Sequence, residues 1–581
     1  MVLLFVNRRF SMLNKTLFLF VLFMSINAYA TDYYLHASKG KDTNAGTSIN
    51  LPWQSLNKVN KLNLQAGDRV LLAQGQEFIG AINLVDTQGS AQQPIVITSY
   101  DASAKANEKT NQSVTSAYAS INAKGALAGI LLVDSSYIDI SNISVSANGG
   151  KFPLHPRKLK TKLGKRKLKA KRVGVYVLAV EKGQYGHINI DNVEVKNVFA
   201  NNAKFVRSYE DTTSANGREE YGFGMFFISM KGTELSHVTV NNTQVSNVSH
   251  TGIKFNGKRS ISNVTLSNNK VFDIGGPGMQ MSGVLNSHVH HNEVNGSGSN
   301  KDTRNWARGS GMWTWGSSDI IVEHNKFLNA NGPGDSAGFH IDFNCNNIIF
   351  QYNLSANNAG GFLEILGNNY NNAYRYNVSI NDGYRVKKKG VAFQEGKTFW
   401  LSGFVGSQMI GKKRKPKKRH GPYNSYLYNN TIFVKDEITA KIAVTRVAQG
   451  ALVTNNIFHI MGDSKLVSGD QYVPENKNDK VVLDNFIFKN NLFLKQGNWP
   501  KQVLVQDSGP VYGDAKFINA GGFNIEDYTP TNIDLIKNKG IEIPQIPGDE
   551  IGLIVGLKVD KDILGNPIVG KPDLGAIEII Q

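Results

Sequence analysis

One motif recurs along the middle of this chain: a short β-prone run, an asparagine, a second β-prone run and a glycine-rich turn. It appears as SNISV at Asn142, DNVEV at Asn192, NNTQV at Asn242 and NNKVF at Asn269. It returns as HNEV at Asn292, HNKF at Asn325, YNLS at Asn353, YNVS at Asn377, NNTIF at Asn430, NNIF at Asn456 and NNLF at Asn491. Many steps fall near 23–28 residues, as from Asn269 to Asn292 and from Asn325 to Asn353. A period of that size, with β-branched residues and no heptads, predicts a solenoid of strands and not a helical array. The fold class expected is all-β, a right-handed parallel β-helix. Asparagines stacked at one turn can hydrogen-bond along the axis through their amides. Each coil alone has unpaired edges, so stacking must supply both the sheet bonds and the core. The longer steps imply inserted loops or two-coil steps.

Repeat architecture also reconciles 581 residues with one domain. Arg8, Arg9 and Lys15 precede an apolar run, Leu17 to Met24, that ends in Ala28-Tyr29-Ala30, a small-x-small cleavage pattern. Met12 would serve equally as the start. Residues 1–30 are thus expected to be a signal peptide and the mature chain secreted or periplasmic. The expected domain is 31–581, with an N-terminal region at 31–130, central coils at 131–495 and a C-terminal region at 496–581. No apolar run is long enough to predict a membrane span. Cys345 stands alone, so no internal disulfide can form.

Charge is concentrated. Of the formal +18, the signal holds +3, the stretch Arg157 to Arg172 ten positive charges and Lys412 to Arg419 seven; 18 − 3 − 17 leaves −2 for the rest. Like charges this close repel, which points to a polyanionic partner. Export argues against nucleic acid, and an anionic polysaccharide fits better; a monomer is expected. Both segments read as insertions, near 151–172 and 387–420. The first alternates lysine with Leu159, Thr161 and Leu163 and then turns at Gly164, which predicts a two-stranded ribbon through Arg172.

Five segments begin just after a glycine and alternate: Gly252 to Asn256, Gly278 to Ser282, Gly311 to Trp315, Gly338 to Asp342 and Gly360 to Glu364. Alternation sends Met312, Phe339, Ile341, Leu363 and Ile365 inward, and Trp313, Trp315, His340, Asp342, Phe362 and Glu364 outward. Aligned on their glycines, Asp342 and Glu364 fall one rung apart in one column, roughly 4.8 Å between strands. Carboxyl groups about 5–5.5 Å apart suit a retaining glycosidase and a wider gap an inverting one. The expected roles are Glu364 as acid/base and Asp342 as nucleophile, or the reverse, with Asp335 in the preceding loop a third candidate and His340 tuning them. Trp313 and Trp315 would form a sugar platform, and Lys254, Gln280 and Arg308 would touch substrate, with Arg304 and the pair Glu219-Glu220 in reserve. Each has a structural alternative: a satisfied core histidine at 340, tryptophans packed beneath a loop, or carboxylates that are merely solvated or hold calcium. No cofactor is otherwise expected.

Several stretches carry a resemblance. The start, YYLHASKGKDTNAGTSINLPWQSLNKVNKLNLQAGDRVLLAQGQEF, and the end, DKDILGNPIVGKPDLGAIE, resemble the opening and closing segments of secreted β-helix carbohydrate-active proteins. GMWTWGSSDIIVEHNKF and GFHIDFNCNNIIFQYNLSANNAGGFLEI resemble the central coils of β-helix glycoside hydrolases, within the broader pectate-lyase-like superfamily. The resemblance implies a carbohydrate-active enzyme, and with the basic segments it gives the first reading, a glycoside hydrolase of a charged, sulfated polysaccharide, carrageenan- or fucan-like. Two other readings stay open: a lyase acting by β-elimination on a uronate polymer, with Lys254, His340 and Arg308 in its site, and a non-catalytic polyanion-binding solenoid.

Overall fold

The computed structural model describes residues 30–103, 118–148, 171–200, 204–208, 212, 221–304, 308–467 and 481–580. Most of the signal reading, residues 149–170 of the first basic segment and Glu219-Glu220 lie outside them. A coil is three strands with short corners: Ala128–Val133, Ser136–Ser141 and Ile143–Ala147 form one, and Lys171–Ala179, Gly183–Asp191 and Glu194–Val198 the next. The pairs Val173↔Ala128, Gly186↔Ser136 and Glu194↔Ser144 stack the second coil on the first, all parallel. Repetition gives a 24-stranded and a 14-stranded sheet, both parallel, closed around a core that runs from Leu35 to Val503. The fold is the parallel β-helix that the repeat predicts.

The asparagines resolve into two neighbouring columns. From Asn269 onward, a buried amide ladder runs up the axis: Asn269 donates to Asn292, Asn292 to Asn325, Asn325 to Asn353, Asn353 to Asn377, Asn377 to Asn430, Asn430 to Asn456 and Asn456 to Asn491, at 2.9–3.1 Å. Asp507 accepts the last amide. Asn142, Asn192 and Asn242 do not belong to this ladder, although the motif aligns them with it. They stand one position earlier, in a column of left-handed residues with φ between 49° and 53°. Asparagine tolerates that conformation better than most residues. The ladder position in those coils is Ile143, Val193 and Thr243, by the pairs Glu194↔Ser144, Glu194↔Gln244 and Gln244↔Lys270.

Asn353 shows what the ladder is worth. Its Oδ1 accepts from the backbone and side-chain amides of Asn325, and its Nδ2 donates to the Val322 and Gln351 carbonyls. Asn353→Ala would leave several buried groups unpaired at about 1–3 kcal/mol each. The expected outcome is a loss of roughly 3 kcal/mol or more, read as a lowered denaturant midpoint.

The long steps are inserted loops and not two-coil steps. The Asn142 amide N–H donates to the Asn192 carbonyl, and Asn377 bonds Asn430 directly, so both pairs are adjacent rungs. The sequence segments 149–170, 199–220, 298–311 and 381–396 each precede a strand of the same face, Lys171–Ala179, Tyr221–Ser229, Met312–Trp315 and Lys397–Leu401. Of the ribbon expected at 157–172 only Lys171 and Arg172 are described; both belong to the strand Lys171–Ala179, and Arg172 is fully buried. The second basic segment is an antiparallel ribbon, Ser407–Ile410 with Lys413–Pro416, and Lys412, Lys413, Lys415, Lys417 and Lys418 are exposed. It follows a strand of that face, Lys397–Leu401, and so stands beyond that strand's C-terminal end.

The last rung is Val511–Tyr512 on Leu492–Phe493. Beyond it the chain doubles back along the outside. Asn455 donates to the Ile541 carbonyl at 2.8 Å, Asn371 and Tyr426 donate to Asp549, and the Tyr352 hydroxyl donates to the Lys561 carbonyl at 3.0 Å. Among the described residues, no helix is long and apolar enough to cross a membrane.

Candidate active site

The face that these strands share carries one straight column of side chains. Tyr176 pairs with Phe226, Phe226 with Lys254, Lys254 with Gln280, Gln280 with Trp313 and Trp313 with His340. Parallel register without slip keeps them in line. Glycine makes the corner before these strands: a Cβ on Gly224, Gly252, Gly278 or Gly311 would lie 2.5–2.7 Å from the carbonyl oxygen of the next coil's glycine. Met312, Phe339, Ile341, Leu363 and Ile365 point into the core, as alternation predicts.

The alignment of Asp342 with Glu364 is overturned. Ile341 pairs with Ile365, and Ala337 bridges Gly361, so the step between these strands is 24 residues and not 22. Glu364 therefore stands beside His340, and Asp342 lies two positions further along the face, opposite Leu366. The two glycines that suggested the other register have a different job. A Cβ on Gly360 would come within 1.8 Å of the Asp335 carbonyl oxygen, so Gly360 lets the Asp335 loop lie down on the coil. Phe362 takes the corner place and packs in the core against Tyr374, not outward.

That loop delivers a third carboxylate. Asp335 and Ser336 have φ of 44° and 66°, left-handed values that cost energy in residues other than glycine and persist where surroundings hold them. Here they are held on all sides. Gln394 accepts from the Asp335 amide at 2.7 Å, Arg385 donates to the Gly332 carbonyl at 2.6 Å, and the Ser336 hydroxyl accepts from the Gly332 amide at 2.8 Å. The Arg308 guanidinium lies 3.4 Å from the Asp335 carboxylate.

Asp335 acts electrostatically on everything around it. Asp342 is pushed up to about 7, first by burial and then by the negative charge of Asp335, against a bond from the Phe343 amide. Glu364, 4% exposed, is also raised, by burial and by Asp335 and Asp342, with Lys397 and Arg385 opposing. Its Oε1 has no hydrogen-bond partner. His340 is lowered to about 4 by burial, is bonded to the Ser310 hydroxyl at 3.0 Å and stacks on Trp313 at 5.7 Å. It is neutral at neutral pH and cannot serve as a cation there.

All four expected acid and base residues, Asp335, His340, Asp342 and Glu364, are thus brought together, though not in the expected register. Trp313 lies in the column; Trp315 is 38% exposed beside Asp342's strand and meets Phe343 edge-on, and Phe343 meets Phe404, so an aromatic wall continues toward the basic ribbon. Gln280 is buried and donates to Ser282 at 2.9 Å. Arg304 is tied to Asp302. Among the described residues, no group of three or more His, Cys, Asp or Glu could hold a metal ion. Sequence reading missed Arg385, Gln394, Lys397 and Trp400. Trp400 pairs with Glu364 and so extends the column by another rung, with the Lys397 ammonium 3.9 Å over its ring. The alternation in KTFWL could have shown it; the lack of a leading glycine hid it.

Fold and site define a class, a parallel β-helix that gathers carboxylates and indoles along one face. A family model described as a right handed beta helix region matches residues 226–404, the span that holds the column from Phe226 to Trp400. A lacto-N-biosidase of Bifidobacterium longum subsp. longum is 24% identical over 94% of this chain and 36% of its own length, so the chain spans about a third of the curated relative it matches. Two structures of a GH136 lacto-N-biosidase from Eubacterium ramulus are similar. The native one is 20% identical over 60% of this chain and 64% of that one, with a TM-score of 0.46; the selenomethionine derivative is 19% identical over 80% and 67%, with 0.49.

Proposed function

We propose that this chain is a secreted glycoside hydrolase acting on an anionic polysaccharide. The observation that carries the reading is the convergence of Asp335, Asp342 and Glu364 on a groove floored by Trp313 and His340. Glycoside hydrolysis needs one ionised carboxylate and one that keeps its proton. Asp335, 3.4 Å from the Arg308 guanidinium, supplies the carboxylate that meets the anomeric carbon, directly or through one water. Asp342, held up near neutrality and less buried than Glu364, protonates the leaving oxygen. Glu364 stays protonated and offers its unpartnered Oε1 side to a sugar hydroxyl. The similarity to a lacto-N-biosidase supports hydrolysis, and the exposed lysines of the 407–416 ribbon support a charged substrate.

The test is incubation of the full chain with sulfated, uronate and neutral polysaccharides in ¹⁸O-water, followed by mass analysis. The expected products gain one labelled oxygen at a reducing end. An unsaturated product absorbing in the near ultraviolet would replace this reading with elimination, and no cleavage of any glycan would leave a binding solenoid.

A further inference from the structure

Lys254 is the feature that the proposed chemistry leaves unused. It lies in the groove column three rungs before His340, about 14 Å away at roughly 4.8 Å per rung. Its ammonium sits 5.4 Å over the Phe223 ring and 5.4 Å over the Phe226 ring. Among the described residues no carboxylate, hydroxyl or carbonyl bonds it. Its cationic neighbours are already satisfied: Arg304 grips Asp302 with Nε at 2.9 Å and Nη2 at 2.6 Å, and Lys171 donates to the Tyr176 hydroxyl at 2.8 Å. Burial, Arg304 and Lys171 all work against the charge on Lys254, lowering it to about 7.

A half-buried cation among like charges, held over ring faces, is costly unless an anion completes it. The ring faces supply part of that compensation, worth about 0.5–2 kcal/mol for a cation over an aromatic ring. Along the column, Gln280 and Trp313 follow Lys254.

We infer that Lys254, flanked by Arg304 and Lys171, is a distal subsite for a sugar-borne anion, a sulfate ester or a carboxylate, several units from the bond that is cut. The inference rests on the groove being the glycan site. Lys254 is a binding residue there and takes no part in proton transfer. An anion bound at this point restores the full charge of the ammonium and fixes the register of the polymer over the acids. It also explains why the column places a lysine between two aromatic rungs and an indole, where a neutral glycan would be served by a third ring.

The test uses the full chain carrying Asp335→Asn and Asp342→Asn, which binds without turnover. Calorimetry compares a sulfated galactan oligosaccharide with its desulfated counterpart, and a uronate oligosaccharide with its carboxyl-reduced counterpart. At least one charged probe should bind about tenfold more tightly than its neutral twin. Lys254→Met and Lys254→Gln should each erase that preference and flatten its salt dependence, and Lys254→Arg should keep it. A preference that survives both neutral variants assigns the anion to another cation and overturns this inference alone, as does equal binding of each pair. No binding of any probe overturns this inference together with the groove reading.

Discussion

Asp335→Asn should lower kcat by roughly a thousandfold or more while leaving the fold intact. The loop can accept the change: asparagine is among the side chains that tolerate φ of 44°, and the bonds from Arg385, Gln394 and Ser336 that pin the loop go to backbone atoms. What disappears is the negative charge that faces Arg308, Asp342 and Glu364. With it goes the group that meets the positive charge developing at the anomeric carbon. The same substitution should bring the Asp342 and Glu364 carboxyls closer to their ordinary range, because Asp335 is among the causes that raise both. Steady-state kinetics and a melting curve together check this. Retention of more than about a tenth of the activity in a folded variant would remove Asp335 from the chemistry.

Asp342→Asn should cost on the order of 10²–10⁴-fold, and it should also change the shape of the pH profile. The wild-type donor is raised to about 7, so it holds its proton below that pH and activity falls as pH rises through it. Asparagine does not titrate, and whatever activity is left should lack that alkaline limb. Stability moves in step. An unfolded aspartate releases its proton near pH 4, whereas the folded one keeps it to about 7. Over that interval the native state binds more protons than the unfolded state, so stability falls as pH rises. That slope should be shallower in Asp342→Asn, which gives a readout independent of substrate.

The solenoid could be read from the sequence because its repeat is enforced at every rung by backbone geometry. A buried amide such as Asn325 must find its partner one coil up, and a corner glycine such as Gly278 must clear the coil beside it. Those demands leave the same letters at the same interval. The inward and outward faces followed from the same alternation, except at Phe362, which packs in the core. The active-site register did not, because Gly360-Gly361 looks like a corner but answers to the loop above it. A spacing of 22 and one of 24 have the same parity, so the side chains still face outward and the pattern alone gave no warning. Asn142, Asn192 and Asn242 misled in a similar way: asparagine suits both the amide ladder and the left-handed position next to it. Arg385 and Gln394 were invisible because loop residues carry no period, and only the folded chain brings them to Asp335.

The returning tail changes how such a stack can come apart. A plain array of coils, each touching only its neighbours, can fray from an end one layer at a time. Here the closing segment is fastened to Asn455, to Asn371 and Tyr426, and to Tyr352. The terminal layers cannot peel away without tearing that strap from layers deep in the middle, close to the candidate site carboxylates. The tail therefore ties the integrity of the far end to that of the centre and makes the C-terminal half yield as one body.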